Sequence, residues 1–189
     1  MEPKILVIDC GSSKTPYISQ IVDEYMDVAT CKLLDFTPED LKDIHGVIIS
    51  GAPILITEVD PSKYLKKMEW IKETTLPVLG ICFGHQLIGL LFGASASRMR
   101  EDRDWQTVEA FEDCILFNRL PDEIEMMEDH CETISIPNNF QLIASSDVCI
   151  NEVMQHEERP LFGVQFHPEV SGNHGNILIE NFVKACSVE

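Results

Sequence analysis

The sequence predicts a three-layer α/β/α domain with a mostly parallel central sheet, and three observations carry that expectation. Short, nearly continuous apolar runs alternate with segments in which apolar residues recur at helical spacing. The apolar runs end in loops marked by glycine or proline, as strands buried on both faces do when they empty at one edge of a sheet. At 189 residues and 44% hydrophobic content, the chain can bury a substantial core as one domain spanning residues 1–189.

Lys4 to Cys10 is the first such run, emptying into Asp9-Cys10-Gly11-Ser12. Pro16 to Met26 carries Tyr17, Ile18, Ile21, Val22 and Tyr25 on one side, the pattern of a helix packed on a sheet. Gly46 to Ser50 is a second buried strand, ending at Gly51-Ala52-Pro53. Tyr64 to Glu73 has helical spacing with lysines on its outer side, and Pro77 to Ile81 is a third strand. His85 to Phe92 is apolar nearly all round, so it predicts an interior helix. Between Arg98 and Pro160 the pattern changes to short alternating runs, Thr107 to Phe111 and Cys131 to Ile136 among them, which predict antiparallel or edge strands. Leu161 to Phe166 is a further strand, and Gly175 to Cys186 a closing helix. No internal repeat, low-complexity stretch or linker interrupts the series.

Thirty-two acidic against 14 basic residues leave a net charge of −18, which argues against nucleic acid as a direct partner. Acidic pairs such as Asp122-Glu123 and Glu128-Asp129 read as solvated rims. Seven cysteines, an odd number without C-x-x-C spacing, fit reduced thiols in the cytoplasm. No basic leader with a cleavage site precedes the first strand, and no apolar run approaches the ~20 residues of a membrane span. No metal site and no cofactor is expected.

In such sheets the sites lie at the carboxyl ends of the strands, where Gly51-Ala52-Pro53, Cys82-Phe83-Gly84 and His167-Pro168-Glu169 fall. Leu79-Gly80-Ile81-Cys82-Phe83-Gly84-His85-Gln86 puts a cysteine in a strand-to-helix turn, a nucleophile elbow. Glycines two residues either side remove the clash that so sharp a bend creates. Two glycines at those offsets flank roughly one cysteine in 200 by chance, so a buried structural thiol is the weaker reading. The helix N-terminus favours thiolate over thiol at Cys82.

A thiolate nucleophile needs a base, and the base an orienting acceptor. His167 and Glu169 supply both, lying side by side if the segment is extended. Of the six histidines, only His167 directly follows a buried strand and has a carboxylate two residues on. The backbone N–H groups of Phe83, from the elbow, and Ala52, from the glycine-bearing loop, are the candidate oxyanion donors. The residues alone thus reach thiol-mediated acyl transfer on an amide or ester, without naming the substrate.

S-G-A-P, then G-I-C-F-G-H-Q, then G-V-Q-F-H-P-E-V, in that order and across nearly the whole chain, resemble the class I (triad) glutamine amidotransferases, which have a flavodoxin-like fold. The C-terminal run with Gly175-Asn176 and Asn181-Phe182 looks most like the amidotransferase subunit or domain of GMP synthetases. The resemblance implies that Cys82 forms a γ-glutamyl thioester, that His167 is the general acid/base and that Glu169 orients it. It also implies that Phe83 and Ala52 give oxyanion amides, and that Gln86, with Gly51, Asp129 and His130, contacts glutamine. Family members pass ammonia to a synthetase site on a second domain or subunit. The 189 residues contain no P-loop and no S-G-G-x-D-S pyrophosphatase signature, so a separate synthetase subunit of the ATP-pyrophosphatase type is the expected partner.

Three positions depart from the family pattern. Gly51-Ala52-Pro53 stands where Gly-Gly-Pro is common, and an alanine forced to φ > 0 there costs on the order of 1 kcal/mol. Asp9-Cys10-Gly11-Ser12-Ser13 stands in place of D-N-G-G-Q-Y, and Asp129-His130-Cys131-Glu132 in place of S-H-x-D. Asp129 would repel the α-carboxylate of glutamine or bind its α-ammonium. Two alternatives stay open: a partner-independent cysteine hydrolase of another γ-glutamyl compound, and a catalytically weak regulatory or binding subunit.

Overall fold

The computed structural model describes residues 3–187. Strands β1 (Lys4–Asp9), β2 (Asp27–Lys32), β3 (Gly46–Ile49), β4 (Val78–Ile81) and β11 (Leu161–Val164) pair in parallel, in the spatial order β2-β1-β3-β4-β11. The same nine-stranded sheet continues through antiparallel pairs formed by β10 (Val153–His156), β9 (Phe140–Ser145), β6 (Trp105–Ala110) and β7 (Glu123–Met127). The segment between Arg98 and Pro160 therefore extends the central sheet. Among the described residues, only β5 (Ala96–Asp102) and β8 (His130–Ile134) stand apart from it, as an antiparallel ribbon.

Alternate side chains of a strand face opposite sides of a sheet, and the core divides accordingly. Ile5 and Val7 of β1 pack with Ile18 and Val22 of helix α1 (Thr15–Asp23) and with Leu178 and Phe182 of α4 (Gly172–Ala185). Leu6 and Ile8 pack with Tyr64 and Met68 of α2 (Ser62–Met68) and with Leu87 and Ile88 of α3 (Phe83–Leu91). The expected three layers are therefore present, with α1 and α4 on one face and α2 and α3 on the other.

The sequence does not announce β2. Its Asp-Val-Ala-Thr-Cys-Lys lies at the sheet edge with no fully buried position, so neither apolar run nor clean alternation marks it. The helix expected over Tyr64 to Glu73 is α2 followed by a 3₁₀ turn at Glu69–Lys72. One expectation is overturned. Glu128 is not part of a solvated rim; it is 1% exposed, while its neighbour Asp129 stays at the edge of a pocket.

Candidate active site

Cys82 lies between β4 and α3 with φ 50° and ψ −104°, one of four non-glycine residues at positive φ among the described residues. Such a conformation costs on the order of 1–3 kcal/mol and persists only where neighbours over-determine it. Here the Cys82 N–H donates to the Val164 carbonyl of β11 at 2.8 Å, and its carbonyl accepts the Gln86 N–H at 3.0 Å. The glycine requirement is real, with a division of labour the sequence does not show. A Cβ on Gly80 would come within 2.5 Å of the Gly84 backbone, whereas one on Gly84 would come within 2.3 Å of the Ile49 carbonyl of β3. Gly80 lets the elbow bend, and Gly84 lets α3 approach the neighbouring strand.

Beyond β11 the chain reaches His167, whose N–H donates to the Met127 carbonyl at the end of β7 and whose carbonyl accepts from Ser171 Oγ at 2.6 Å. Its Nδ1 lies 2.7 Å from Glu169 Oε1. The pairing expected from an extended segment arises instead across a turn, because Pro168–Val170 is 3₁₀. Burial pushes the His167 imidazole down, yet the Cys82 sulfur and the Glu169 carboxylate outweigh that effect and raise it to about 10. Gly51 joins the two segments: a Cβ there would lie 3.0 Å from His167 Cε1 and 3.6 Å from Cys82 Cβ.

These groups open onto a pocket of about 700 Å³. Ala52, Cys82, Phe83, Gln86, Asp129, His130 and His167 line it, while Gly51 and Glu169 stand behind. The Phe83 and Ala52 N–H groups have no hydrogen-bond acceptor among the described residues, so both remain free to donate. Ala52 keeps a negative φ, so the strain set out for that position is absent from this conformation. Gln86 is buried, with Nε2 3.3 Å from both the Glu132 carbonyl and Gln165 Oε1. Asp129 pairs with Lys14 at 2.5 Å and lies 3.4 Å from Arg103. Its partial burial favours the neutral form, but Lys14, His167 and Arg103 prevail and hold the carboxyl below its ordinary range. His130 turns its ring nitrogens to protein groups, the Glu132 carbonyl and the Glu128 carboxylate, each at 2.9 Å.

The model of the class-I glutamine amidotransferase family matches residues 6–186. The chain belongs to that family. One of its relatives, a subunit of the glutamine-hydrolysing GMP synthase of Pyrococcus abyssi, is 35% identical over 188 residues, covering 96% of this chain and 98% of its own. A crystal structure from Thermoplasma acidophilum, provisionally described as the corresponding GMP synthase subunit, superposes with a TM-score of 0.90 at 31% identity, over 99% of this chain and 95% of that one. A glutamine amidotransferase from Thermotoga maritima, at 21% identity and a TM-score of 0.76 over 98% of this chain and 84% of that one, shares the fold.

Membership makes the chain a cysteine-dependent glutamine amidotransferase. Several residues of the amidotransferase pocket escape a reading of motifs. Gln165 directs Nε2 at Cys82 Sγ from 3.7 Å. Its place two residues before His167, in the strand's extension, is the available signal. Lys14 and Arg103 arrive from loops remote in sequence, and no local pattern marks either. Glu132 reaches the loop after Pro53, accepting the Ile56 N–H at 2.8 Å and the Thr57 N–H at 2.9 Å. No helix among the described residues is long and apolar enough to cross a membrane.

Proposed function

We propose that this chain is a single-domain cytoplasmic glutaminase subunit that supplies ammonia to a separate GMP synthase subunit of the ATP-pyrophosphatase type. Cys82 Sγ attacks the side-chain amide carbon of glutamine with the proton of the Cys82–His167 pair carried on the imidazole, and the N–H groups of Phe83 and Ala52 receive the oxyanion. His167 returns the proton to the amide nitrogen, the C–N bond breaks and ammonia leaves, with the γ-glutamyl group held as a thioester on Cys82. Water, deprotonated by His167, then attacks the thioester and releases glutamate and the free thiol. Glu169 keeps the imidazole in one tautomer and balances its charge throughout. Gln86 and Gly51 hold the amide end, and the Lys14–Asp129–Arg103 rim meets the charged α-carbon end.

The observation that carries this reading is the pairing of His167 Nδ1 with Glu169 at 2.7 Å, in the pocket that holds the strained Cys82. The choice of partner is supported by the relative from Pyrococcus abyssi, named as one subunit of GMP synthase and matched over 98% of its length.

The deciding experiment is ammonia release from glutamine by the purified chain, alone and with a GMP synthase ATP-pyrophosphatase subunit, ATP and its nucleotide acceptor. Slow release alone and fast release with the partner is the expected result. Fast release unchanged by the partner would favour an independent γ-glutamyl hydrolase, and an inert chain with every partner a binding subunit.

A further inference from the structure

A second cluster of chemically capable side chains adjoins the pocket. It draws Glu128 and His130 from the turn into β8, and Cys149 and Glu152 from the loop between β9 and β10. A ring nitrogen of His130, the sulfur of Cys149 and a carboxylate oxygen of Glu152 all lie within 4.8 Å of one another. Glu128 Oε2 lies beside this group, 2.9 Å from His130 Nε2, outside the set of atoms that all lie within 4.8 Å of one another. The four residues are 7%, 3%, 0% and 1% exposed for His130, Cys149, Glu152 and Glu128.

Buried polar atoms are normally hydrogen-bonded, and here several are not. Both oxygens of Glu128, Oε2 of Glu152 and Nε2 of His130 lack a hydrogen-bond partner among the described residues. The close approach of Glu128 to His130 is thus one of distance without the alignment of a hydrogen bond. The other contacts of the group point outward from it: Ser146 Oγ donates to Glu152 Oε1 at 2.6 Å, and Thr133 Oγ1 lies 3.3 Å from Cys149 Sγ. His130 Nδ1 faces the Glu132 carbonyl at 2.9 Å, to which it can only donate. In the neutral ring that bond places the proton on Nδ1 and leaves the Nε2 lone pair facing the cluster, the arrangement that orients metal-bound histidines. With no ion there, burial pushes the imidazole down, but Glu128 beside Nε2 outweighs it and favours the protonated ring, whose proton an entering ion must displace.

We propose that His130, Cys149 and Glu152 hold one divalent transition-metal ion of the zinc type, with Glu128 the neighbouring carboxylate that completes the site. The donor set decides the class. Thiolate and imidazole together select zinc over magnesium or calcium, and three mutually close donors with Glu128 beside them match a four-coordinate site. Two buried carboxylates and a thiol gain a counter-cation, and the thiol proton passes to solvent as the ion enters. His130 also lines the active-site pocket, which provides the route of entry. The ion would act structurally. It fastens β8 to the loop before β10, and the Glu132 carbonyl that receives His130 Nδ1 also receives Gln86 Nε2 of α3.

Cobalt(II) is the probe, titrated anaerobically into chelator-stripped protein that carries Cys82→Ala, so that the nucleophile cannot ligate. The expected result is saturable binding of one ion per chain, with tetrahedral ligand-field bands, a thiolate-to-cobalt charge-transfer band, and displacement by zinc. Cys149→Ser should abolish the charge-transfer band, and Glu152→Gln should weaken binding at least about ten-fold. Cys131→Ser, a half-buried cysteine on the same strand outside the cluster, should change neither, and circular dichroism establishes that each variant is folded. Absence of saturable binding, or a charge-transfer band that survives Cys149→Ser, would overturn the proposal; the first outcome would mean that Glu128 and Glu152 share a proton instead. Neither readout involves glutamine, so this test and the test of ammonia release fail independently.

Discussion

Glu132 on β8 grips Thr57 twice, accepting its backbone N–H at 2.9 Å and its hydroxyl at 2.5 Å. A third bond comes from the Ile56 N–H. One buried carboxylate therefore ties the loop that follows Gly51-Ala52-Pro53 to the ribbon across the pocket.

Glu132→Ala should accordingly loosen the loop proposed to give the Ala52 oxyanion donor and the fold together. Hydrogen bonds to a charged group contribute about 1.5–3 kcal/mol each, and two backbone donors would be left behind. A loss of about 3 kcal/mol corresponds to a fall in Tm of roughly 6–12 °C for a domain of this size, measured calorimetrically. An unchanged Tm would show that water replaces the carboxylate at no cost.

A glutamine-mimicking chloroketone at limiting concentration should alkylate Cys82 alone. Cys10, Cys149 and Cys186 are buried, which pushes each thiol up to about 12, and Cys31 and Cys114 are raised to about 11. Mass spectrometry of the labelled peptides checks this, and labelling elsewhere with Cys82 untouched would remove it as the nucleophile.

Cys82→Ala should abolish turnover, while Glu169→Ala should lose roughly 10²- to 10⁴-fold, the usual worth of general acid–base assistance. The pH profile adds a sign. Burial lowers the His167 value, and Cys82 and Glu169 more than compensate, to about 10. In the proposed mechanism the protonated imidazole expels ammonia; it is retained at neutral pH, and activity should fall as pH rises through about 10. In Glu169→Gln that fall should begin at lower pH. The same raised value contributes stability that is fully present below the ordinary 6.5 and is lost as pH climbs through about 10.

Ala52→Gly should raise basal glutaminase activity and shrink any stimulation by a partner. If the competent loop needs φ > 0 at residue 52, alanine disfavours it by about 1 kcal/mol, or about five-fold in rate. The losses are larger, roughly 100- to 1000-fold, if the Ala52 donor is missing altogether in the resting state. Equal kcat values for the two proteins without partner would remove this loop as the restraint.

The parallel half of the fold is legible because Leu6 to Ile8, Val47 to Ile49 and Val78 to Ile81 are buried on both faces, which forces apolar residues at every position. β2 is not, since an edge strand needs only backbone pairing. In the site, Cys82, His167 and Glu169 are readable because each follows a strand with a backbone constraint written into its neighbours. Lys14, Arg103 and Glu132 contribute through contacts between segments far apart in sequence, which no local pattern encodes. Glu128 misleads because a carboxylate beside another carboxylate ordinarily faces water, and here the turn between β7 and β8 buries it.

The hydrogen bond from Cys82 to the Val164 carbonyl joins residues far apart in the chain, since β4 and β11 are neighbours in space and not in sequence. During synthesis the thiol leaves the ribosome long before the strand that bends its turn and the imidazole that shares its proton. Such non-local pairings form late in folding. Without β11 the Cys82 N–H loses its acceptor in the elbow, so nascent or truncated chains ending before residue 160 should carry an ordinary cysteine at position 82, indifferent to the chloroketone. On that expectation, assembly order would act as a safety catch that holds glutamine hydrolysis back until the whole sheet is built.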